Sequence, residues 1–329
     1  MPSKALNAAS QLVTRFRRQK PLRAGSLIIT LFGDSIMPRG SAISLGSLID
    51  LAAPFGINER LVRTATARLA QEDWLLSRRV GKLSEYSLSD DGRKRFQEAT
   101  KRIYSAPDTP WSERWTLVVL PRMKAAQKDR LRTELTWLGF GELSSGTFAH
   151  PEMDHGEITE VLRSSGPHSP VIVFDAALIE DEPWGVTRSH KRTPRADDAS
   201  HRLADLGWNL DELGARYQRF VDRFEGILAV LTARQPAPQE CFIIRTLLIH
   251  EYRRLHLRDP LLPAKLLRSD WPGTQAAQLC HDIYARVFAP SERHLTEVGA
   301  RLTGPLPPPD TSVLARFGGI QYPGEERKV

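Results

Sequence analysis

The order of elements predicted for residues 44–88 constrains the fold of this chain more than any other feature. Apolar spacing predicts a short helix over 44–53, with a serine as its N-cap and a proline after its end. Asn58 can cap a second helix over about 59–71, and a tight turn at 55–57 contains the glycine that joins the two. Two short helices therefore follow each other closely in the sequence.

Two strand patterns follow the second helix. They cover residues 74–80 and 84–88, and Gly81 and Lys82 lie between them, as is typical of a β-hairpin. Two helices joined by a short turn and followed by a hairpin are the elements of a winged helix-turn-helix. We therefore predict this fold for the N-terminal part of the chain, which ends in a further helix up to about residue 104.

The predicted helix at 59–71 has distinct inner and outer faces. At about 100° per residue, Val62, Ala65 and Leu69 fall close together and form the buried face. The outward face and its flank carry Arg60, Arg63, Thr64, Ala67 and Arg68. Arginine can bond to guanine O6 and N7, threonine can contact a thymine methyl group, and alanine allows close approach. The pattern predicts a helix that enters the major groove of DNA.

The hairpin adds cations close to this helix. Arg78 and Arg79 precede its tip and Lys82 lies on it, where they can reach a phosphate or the adjacent minor groove. Taken singly, such residues are also typical of a solvated face. The agreement of helix, turn, hairpin and charge favours DNA binding. The basic outward face also disfavours a protein-interaction module, the other common use of a winged helix.

Positive charge is concentrated in the first third of the chain. Residues 1–104 hold 18 Lys and Arg against 9 Asp and Glu, whereas the remainder holds 28 against 30. The whole chain has a net charge of +7. A basic domain favours a polyanionic partner, and nucleic acid is the commonest such partner.

The rest of the chain alternates between strands and helices and then becomes mainly helical. A proline-containing linker is predicted at 105–110, a mobile basic arm at 1–20, and a solvated loop at 188–198, where the basic run 188–192 has a second nucleic-acid contact as its alternative. Strands are predicted at 115–120, 147–150 and 171–175, and helices at 124–137, 157–163, 211–233, 240–256 and 274–288. We predict an α+β multidomain protein with domains at 22–104, 111–190 and 205–303.

Signals for catalysis, metal binding and membrane insertion are weak. The chain has only two cysteines in 329 residues, which predicts no disulfide framework and fits a reducing cytoplasm. No apolar run is long enough to span a bilayer. His250 and Glu251 begin like a zinc-protease helix, but Arg254 stands where the second histidine is required. We therefore predict a cytoplasmic protein that is not an enzyme and that carries no metal or cofactor.

The sequence resembles the PaaX family, the repressors of phenylacetate degradation. In the N-terminal part the resemblance is carried by residues 56–59, 62–65, 68–69, 74–75, 79–82 and 86–88. In the C-terminal part it is carried by 208–210, Tyr217, Phe220, Arg245, 248–254, 259–263, 266–267, 270–273 and Ala276. The resemblance covers about residues 22–300, and its C-terminal set is the more distinctive because winged helices are common.

The resemblance implies a three-part repressor. The N-terminal domain would bind operator DNA, the middle domain would be ferredoxin-like and similar to Cas2 proteins, and the C-terminal helical domain would complete the effector and dimer region. Family members are released from DNA by phenylacetyl-coenzyme A. Cas2 nucleases carry an Asp near the end of the first strand, whereas here the strand at 115–120 is followed by Pro121 and Arg122. A metal-dependent nuclease activity is therefore not indicated.

A basic and aromatic set in the C-terminal part is the candidate effector site. Its members are Trp208, Tyr217, Arg245, His250, Arg253, Arg254 and Trp271. Arginines bind the phosphates of coenzyme A well, and aromatic rings can line an aryl pocket. The alternative is structural: ion pairs with Glu251, Asp259 or Asp270, and aromatic residues in the core.

We predict a ligand-responsive transcriptional repressor that binds double-stranded operator DNA of a phenylacetate catabolic operon. An aryl-acetyl-coenzyme A such as phenylacetyl-coenzyme A would release it. A homodimer is expected, because one such motif per chain reads only a half-site. The alternative function is a nucleic-acid-processing or RNA-binding protein built from the same winged-helix and Cas2-like parts.

Overall fold

The structure is a computed structural model that describes residues 4–19, 23–104, 111–151, 153–164, 171–178, 197–234 and 236–320. The predicted linker at 105–110 and the basic segment 188–195 lie outside these residues. The chain forms two compact units. The first comprises Met1–Ala106, Tyr217–Leu257 and Gly273–Val329, and the second comprises Pro107–Arg216 and Arg258–Pro272. The predicted domain 22–104 and most of the predicted domain 205–303 therefore belong to the same unit. The bounds of the three predicted domains stay a prediction.

The N-terminal part of the first unit contains five helices and a three-stranded sheet. The elements in chain order are α1 (Lys4–Arg17), α2 (Ala24–Leu31), β1 (Ala42–Ser44), α3 (Leu45–Ala52), α4 (Glu59–Gln71), β2 (Leu75–Val80), β3 (Leu83–Leu88) and α5 (Asp90–Tyr104). The sheet is antiparallel with the strand order β1-β3-β2. Strand β3 is therefore the central strand of the sheet, and it forms a hairpin with β2.

Local capping sets the ends of α3 and α4. The Ser44 side chain accepts a hydrogen bond from the backbone N–H of Ser47, and the Asn58 side chain accepts one from the N–H of Leu61. Between the helices Gly56 has a φ of 77°, a left-handed conformation that glycine adopts without steric cost. The predicted helices at 44–53 and 59–71 are thus present, with the predicted caps.

The buried face of α4 differs from the prediction by one residue. Val62 and Leu69 are buried as predicted, but the third buried residue is Thr66, whereas Ala65 is only partly buried. The Thr66 hydroxyl donates to the carbonyl of Val62 at 3.0 Å. Because this bond satisfies the hydroxyl within the helix, threonine can pack in the core like an apolar side chain.

The predicted mobile arm at the N-terminus is wrong for the residues that form α1. Ala9, Leu12 and Phe16 of this helix are buried. They recur every three or four residues and so form one apolar face, which packs against a helix from the C-terminal part of the same unit. The basic charge of the segment concealed this pattern.

Long helices form most of the C-terminal part. Its elements, numbered along the whole chain, are α9 (Leu210–Ala233), α10 (Pro238–His256), α11 (Pro272–Val298), β8 (Ala300–Arg301) and β9 (Gly304–Pro305). Helix α11 continues ten residues beyond the predicted end at 288, through Pro290. In the turn after this proline Glu292 is held by two buried arginines, which fixes the continuation.

The second unit contains a four-stranded antiparallel sheet. Its elements are β4 (Arg114–Val119), α6 (Ala125–Trp137), β5 (Gly141–Ser144), β6 (Thr147–Pro151), α7 (His155–Ser164), β7 (Ile172–Ala177) and α8 (Asp197–Gly207). The strand order is β5-β6-β4-β7. One apolar cluster contains Val118, Phe148 and residues of α6 and α7, and a second contains Trp115, Ala149 and Ala204. Because side chains alternate along a strand, the sheet has a core on each face.

Two elements of the second unit were not predicted. Strand β5 is only four residues long, and its pairing with β6 is irregular at Glu142 and Ser144. Helix α8 begins at Asp197, so the last two residues of the predicted loop at 188–198 are helical. Short or irregular elements give little periodicity, which explains why β5 was missed.

Candidate nucleic-acid interface

The outward face of α4 is exposed as predicted from the helical spacing. Arg60, Arg63, Thr64, Ala67 and Arg68 are all exposed. The Arg63 and Arg68 side chains are 57% and 78% exposed. Because Ala67 is small, it leaves space between the longer side chains on this surface. The face is therefore available to a polyanionic partner.

Two carboxylates that the sequence analysis did not single out hold these arginines. Arg63 lies 2.7 Å from the Glu59 carboxylate, and Arg68 lies 2.7 Å from that of Glu72. Both are exposed pairs of residues four apart, one within α4 and one with its C-cap residue Glu72, and such pairs contribute little to stability. A phosphate or a guanine edge can therefore replace the carboxylate as the arginine's partner at small cost. The i,i+4 spacing was the signal for these pairs.

The hairpin places its predicted cations at the surface. Arg78, Arg79 and Lys82 are exposed. Arg78 donates to the carboxylate of Glu85 at 3.0 Å, and the Arg79 Nε donates to the carbonyl of Gly81 at 3.0 Å. Near the tip of the hairpin, Arg79 and Lys82 thus present two exposed cations. We call the hairpin of β2 and β3 the wing.

The wing is fastened to the C-terminal part of its own unit. The buried Glu85 carboxylate accepts a hydrogen bond from the backbone N–H of Leu302 at 2.9 Å. The hydroxyl of Ser47 in α3 likewise accepts one from the N–H of Ala300 at 3.0 Å. The β8–β9 hairpin that follows α11 therefore contacts both the wing and the first helix of the helix pair.

The predicted effector residues fall in both compact units. Tyr217, Arg245, His250, Arg253 and Arg254 belong to the first unit, and Trp208 and Trp271 belong to the second. The two tryptophans have structural contacts. The Trp208 indole donates to the carbonyl of Gly139 at 3.0 Å, and Trp271 is buried close to Gly214. Neither unit by itself brings the whole predicted set together.

Arg245 lies in the core of the first unit. It is 0% exposed, and its Nε donates to Asp34 at 2.7 Å while its Nη1 donates to Glu292. The carboxylate of Asp34 also accepts hydrogen bonds from four other side chains: Tyr104, Tyr284, Arg316 and Ser35, at 2.7, 2.9, 3.0 and 3.3 Å. The Arg245 guanidinium thus forms ion pairs with Asp34 and Glu292. The sequence analysis named other carboxylates as candidate partners.

The buried network has a clear electrostatic consequence. Burial by itself would raise the pKa of Asp34, but Arg245 and Arg316, with the two tyrosine hydroxyls, lower this pKa below its ordinary value. Asp34 belongs to a π-helical turn, Phe32–Ile36, that follows α2. Such turns often occur at functional sites. Here the turn directs the carboxylate of an N-terminal element onto the C-terminal helices of the same unit.

Two other basic residues of the predicted effector site, His250 and Arg253, lie on α10 and contact α2. Arg253 donates to the Thr30 hydroxyl at 2.8 Å and to the carbonyl of Ser26 at 2.7 Å. His250 is fully buried, and its Nδ1 lies 3.1 Å from the same hydroxyl. Burial lowers the pKa of His250 to about 3, with further lowering by Arg253, Arg254 and Arg23. Its imidazole is therefore neutral at physiological pH.

The remaining two members have different surroundings. Arg254 lies 3.7 Å from Glu251, the pairing that the structural alternative predicted, and its side chain is 33% exposed. Tyr217 is buried, and its hydroxyl lies 3.3 Å from Nδ1 of His256. Arg254 is thus the member of the first unit whose charge best reaches the surface.

Within the described ranges, no group of three or more His, Cys, Asp or Glu side chains is arranged to hold a metal ion. Across the same part of the chain, no helix combines the length and the apolar character needed to cross a membrane.

Three successive parts of the chain match models of one protein family. Residues 23–92 match the family described as PaaX-like protein, residues 108–186 match the PaaX protein central Cas2-like domain, and residues 208–297 match the PaaX-like protein C-terminal domain. A similar solved structure is the uncharacterized protein Rv0674 from Mycobacterium tuberculosis. It is 24% identical, with 74% of this chain and 89% of that chain covered and a TM-score of 0.45.

A curated relative extends the match over nearly the whole length. The transcriptional repressor PaaX of Escherichia coli (strain K12) is 36% identical over 307 residues, which cover 93% of each chain. The mixed architecture, with a Cas2-like centre and a helical C-terminal part, agrees with these matches. The chain belongs to the PaaX family.

Proposed function

We propose that this protein is a transcriptional repressor of phenylacetate catabolism, and that α3, α4 and the wing form a winged helix-turn-helix that binds operator DNA. The observation that carries the proposal is the exposed cationic face of α4 beside a basic hairpin, in a chain of which 93% aligns with a repressor. In this arrangement α4 enters the major groove and the wing contacts the flanking backbone. A homodimer would place two such helices on the two half-sites of a palindrome.

Arg63→Ala is expected to weaken operator binding by about 1–3 kcal/mol and to relax sequence preference, because Arg63 lies on the exposed face where a base-edge contact is possible. The matched variant Glu59→Gln removes the negative charge that pairs with the same arginine. It is expected to bind random DNA more tightly than the parent does, since a negative charge beside the phosphates is lost.

Both variants can be measured by fluorescence anisotropy. The probes are an operator fragment, selected from DNA upstream of phenylacetate degradation genes, and a scrambled duplex of equal length. Equal affinity of Arg63→Ala and parent for both duplexes would show that α4 is not the reading helix. Tighter binding of a hairpin RNA than of any duplex would favour the RNA-binding alternative.

We further propose that an aryl-acetyl-coenzyme A thioester releases the protein from its operator. Support comes from the basic residues of α10, of which Arg254 reaches the surface and can meet a phosphate. Arg245 is not part of this proposal, because Asp34 and Glu292 already bind its guanidinium in the core. Release requires that the ligand bind the DNA-incompetent state more tightly than the competent one.

Phenylacetyl-coenzyme A is expected to weaken operator binding by about 100-fold, a typical allosteric coupling, whereas free phenylacetate and coenzyme A have no effect. The measurement is the anisotropy of a preformed protein–operator complex titrated with each compound. Reciprocity requires operator DNA to weaken the thioester by the same factor. Unchanged anisotropy at saturating thioester, or equal release by free phenylacetate, would contradict the mechanism.

A further inference from the structure

One face of the wing carries three exposed apolar side chains. Leu75 and Leu88 pair across the two strands and are buried, so the other face joins the core of the first unit. Side chains alternate along a strand, so the residues one position further on point to the opposite face. That face contains Leu76, Val80 and Leu83.

All three of these residues are strongly exposed. Leu76, Val80 and Leu83 are 58%, 56% and 63% exposed. Val80 and Leu83 are direct cross-strand partners on either side of the tip residues Gly81 and Lys82. Hairpin tips are usually polar, and a cluster of exposed apolar side chains on a protein surface commonly marks a binding site. The apolar pair thus projects at the far end of the wing.

The surroundings of the apolar pair are cationic. Lys82 lies between its two members in sequence, and Arg79 adjoins Val80. The wing's own carboxylate, Glu85, is buried and already accepts hydrogen bonds from Arg78 and from the backbone of Leu302. Its negative charge is therefore engaged away from the tip. An apolar tip flanked by positive charge is complementary to a polyanion that also has an apolar surface between its charged groups.

We propose that Val80 and Leu83 enter the minor groove of the operator beside the major groove contacted by α4. This inference rests on the proposed function. The apolar side chains contact deoxyribose and base edges without requiring hydrogen bonds, while Lys82 and Arg79 reach the phosphates on the two sides of the groove. The wing then recognises the width and deformability of its site rather than a hydrogen-bond pattern.

The test is the double variant Val80→Ser/Leu83→Ser, compared with Leu76→Ser on the same face but further from the tip. Because all three side chains are exposed, these variants should fold, and circular dichroism with a thermal midpoint checks this. Operator affinity is measured by anisotropy at several salt concentrations. DNA bending is measured by energy transfer between dyes at the two ends of the duplex.

The double variant is expected to lose about tenfold in operator affinity, as for one lost base-pair contact, with an unchanged dependence on salt. It should also bend the DNA less than the parent does. Lys82→Ala is expected to reduce the salt slope by about one instead, because it removes a phosphate contact. Leu76→Ser should bind like the parent.

Several outcomes would overturn the inference. Parental affinity and bending in the double variant, with α4 variants still defective, would leave the proposed function intact and refute the role of the wing tip. A parent that binds no DNA would refute both. If the double variant turns a dimeric parent into a monomer in sedimentation equilibrium, the apolar pair is a subunit interface and the minor-groove assignment is wrong.

Discussion

Replacing Asp34 with asparagine is expected to lower the free energy of unfolding of the first unit by about 3–5 kcal/mol. Asp34 is buried and accepts hydrogen bonds from Arg245 and Arg316, which are themselves 0% and 4% exposed. Without the carboxylate two buried guanidinium groups lose a counter-charge, and water cannot replace it. Unfolding in guanidinium chloride, followed by circular dichroism, measures the change in the free energy of unfolding. Hydrogen exchange of peptides from α10 assigns the change to this unit.

Three further variants make this prediction specific. Asp222→Asn on the exposed surface of α9 is the matched control and should change stability by less than about 0.5 kcal/mol. Tyr104→Phe removes one hydrogen bond to Asp34 and is expected to cost about 1.5–3 kcal/mol, which keeps the test informative if Asp34→Asn does not fold. The double variant Asp34→Asn/Arg245→Gln should be less destabilised than the sum of its single variants. A loss below about 1 kcal/mol in Asp34→Asn would contradict the role of the network.

Lowering the pH from 7.5 to 5.0 is expected to destabilise the first unit by about 2 kcal/mol through His250 alone. The pKa of His250 is lowered to about 3 in the folded protein, from 6.5 in an unconstrained chain, by burial and by Arg253, Arg254 and Arg23. Between pH 6.5 and about 3, His250 is therefore protonated in the unfolded state but neutral in the folded state. Stability is full above pH 6.5 and falls as the pH is lowered through this window.

The variant His250→Asn tests this pH dependence, because an asparagine amide can replace the contact with the Thr30 hydroxyl without titrating. Its stability should depend less on pH than that of the parent by about 2 kcal/mol over the same range. Phe224→Leu, which alters a buried ring of the same unit that packs on Phe220, is the control. It should lower stability equally at both pH values. The same pH dependence in His250→Asn and parent would show that this histidine is not the responsible group.

Local signals were sufficient to predict the elements of the candidate interface. Ser44 and Asn58 cap their helices as their residue types indicate, and the angular spacing along α4 places Arg63 and Arg68 outward. These predictions depend on contacts within about four residues, which a sequence displays directly. The cationic wing follows in the same way from a glycine turn between two strand patterns.

The sequence by itself thus determined the helix pair, the hairpin, the surface charge and, by resemblance, the family. Only the tertiary structure decided that Arg245 pairs with Asp34, 211 positions away in the chain, rather than meeting a ligand. It also decided that α1 packs on α10 and that the first and last parts of the chain share one compact unit. The physical reason is that a buried charge needs a counter-charge close to it in space, and that group can come from any part of the chain. The distance between the two residues along the sequence does not show that they are close in the fold.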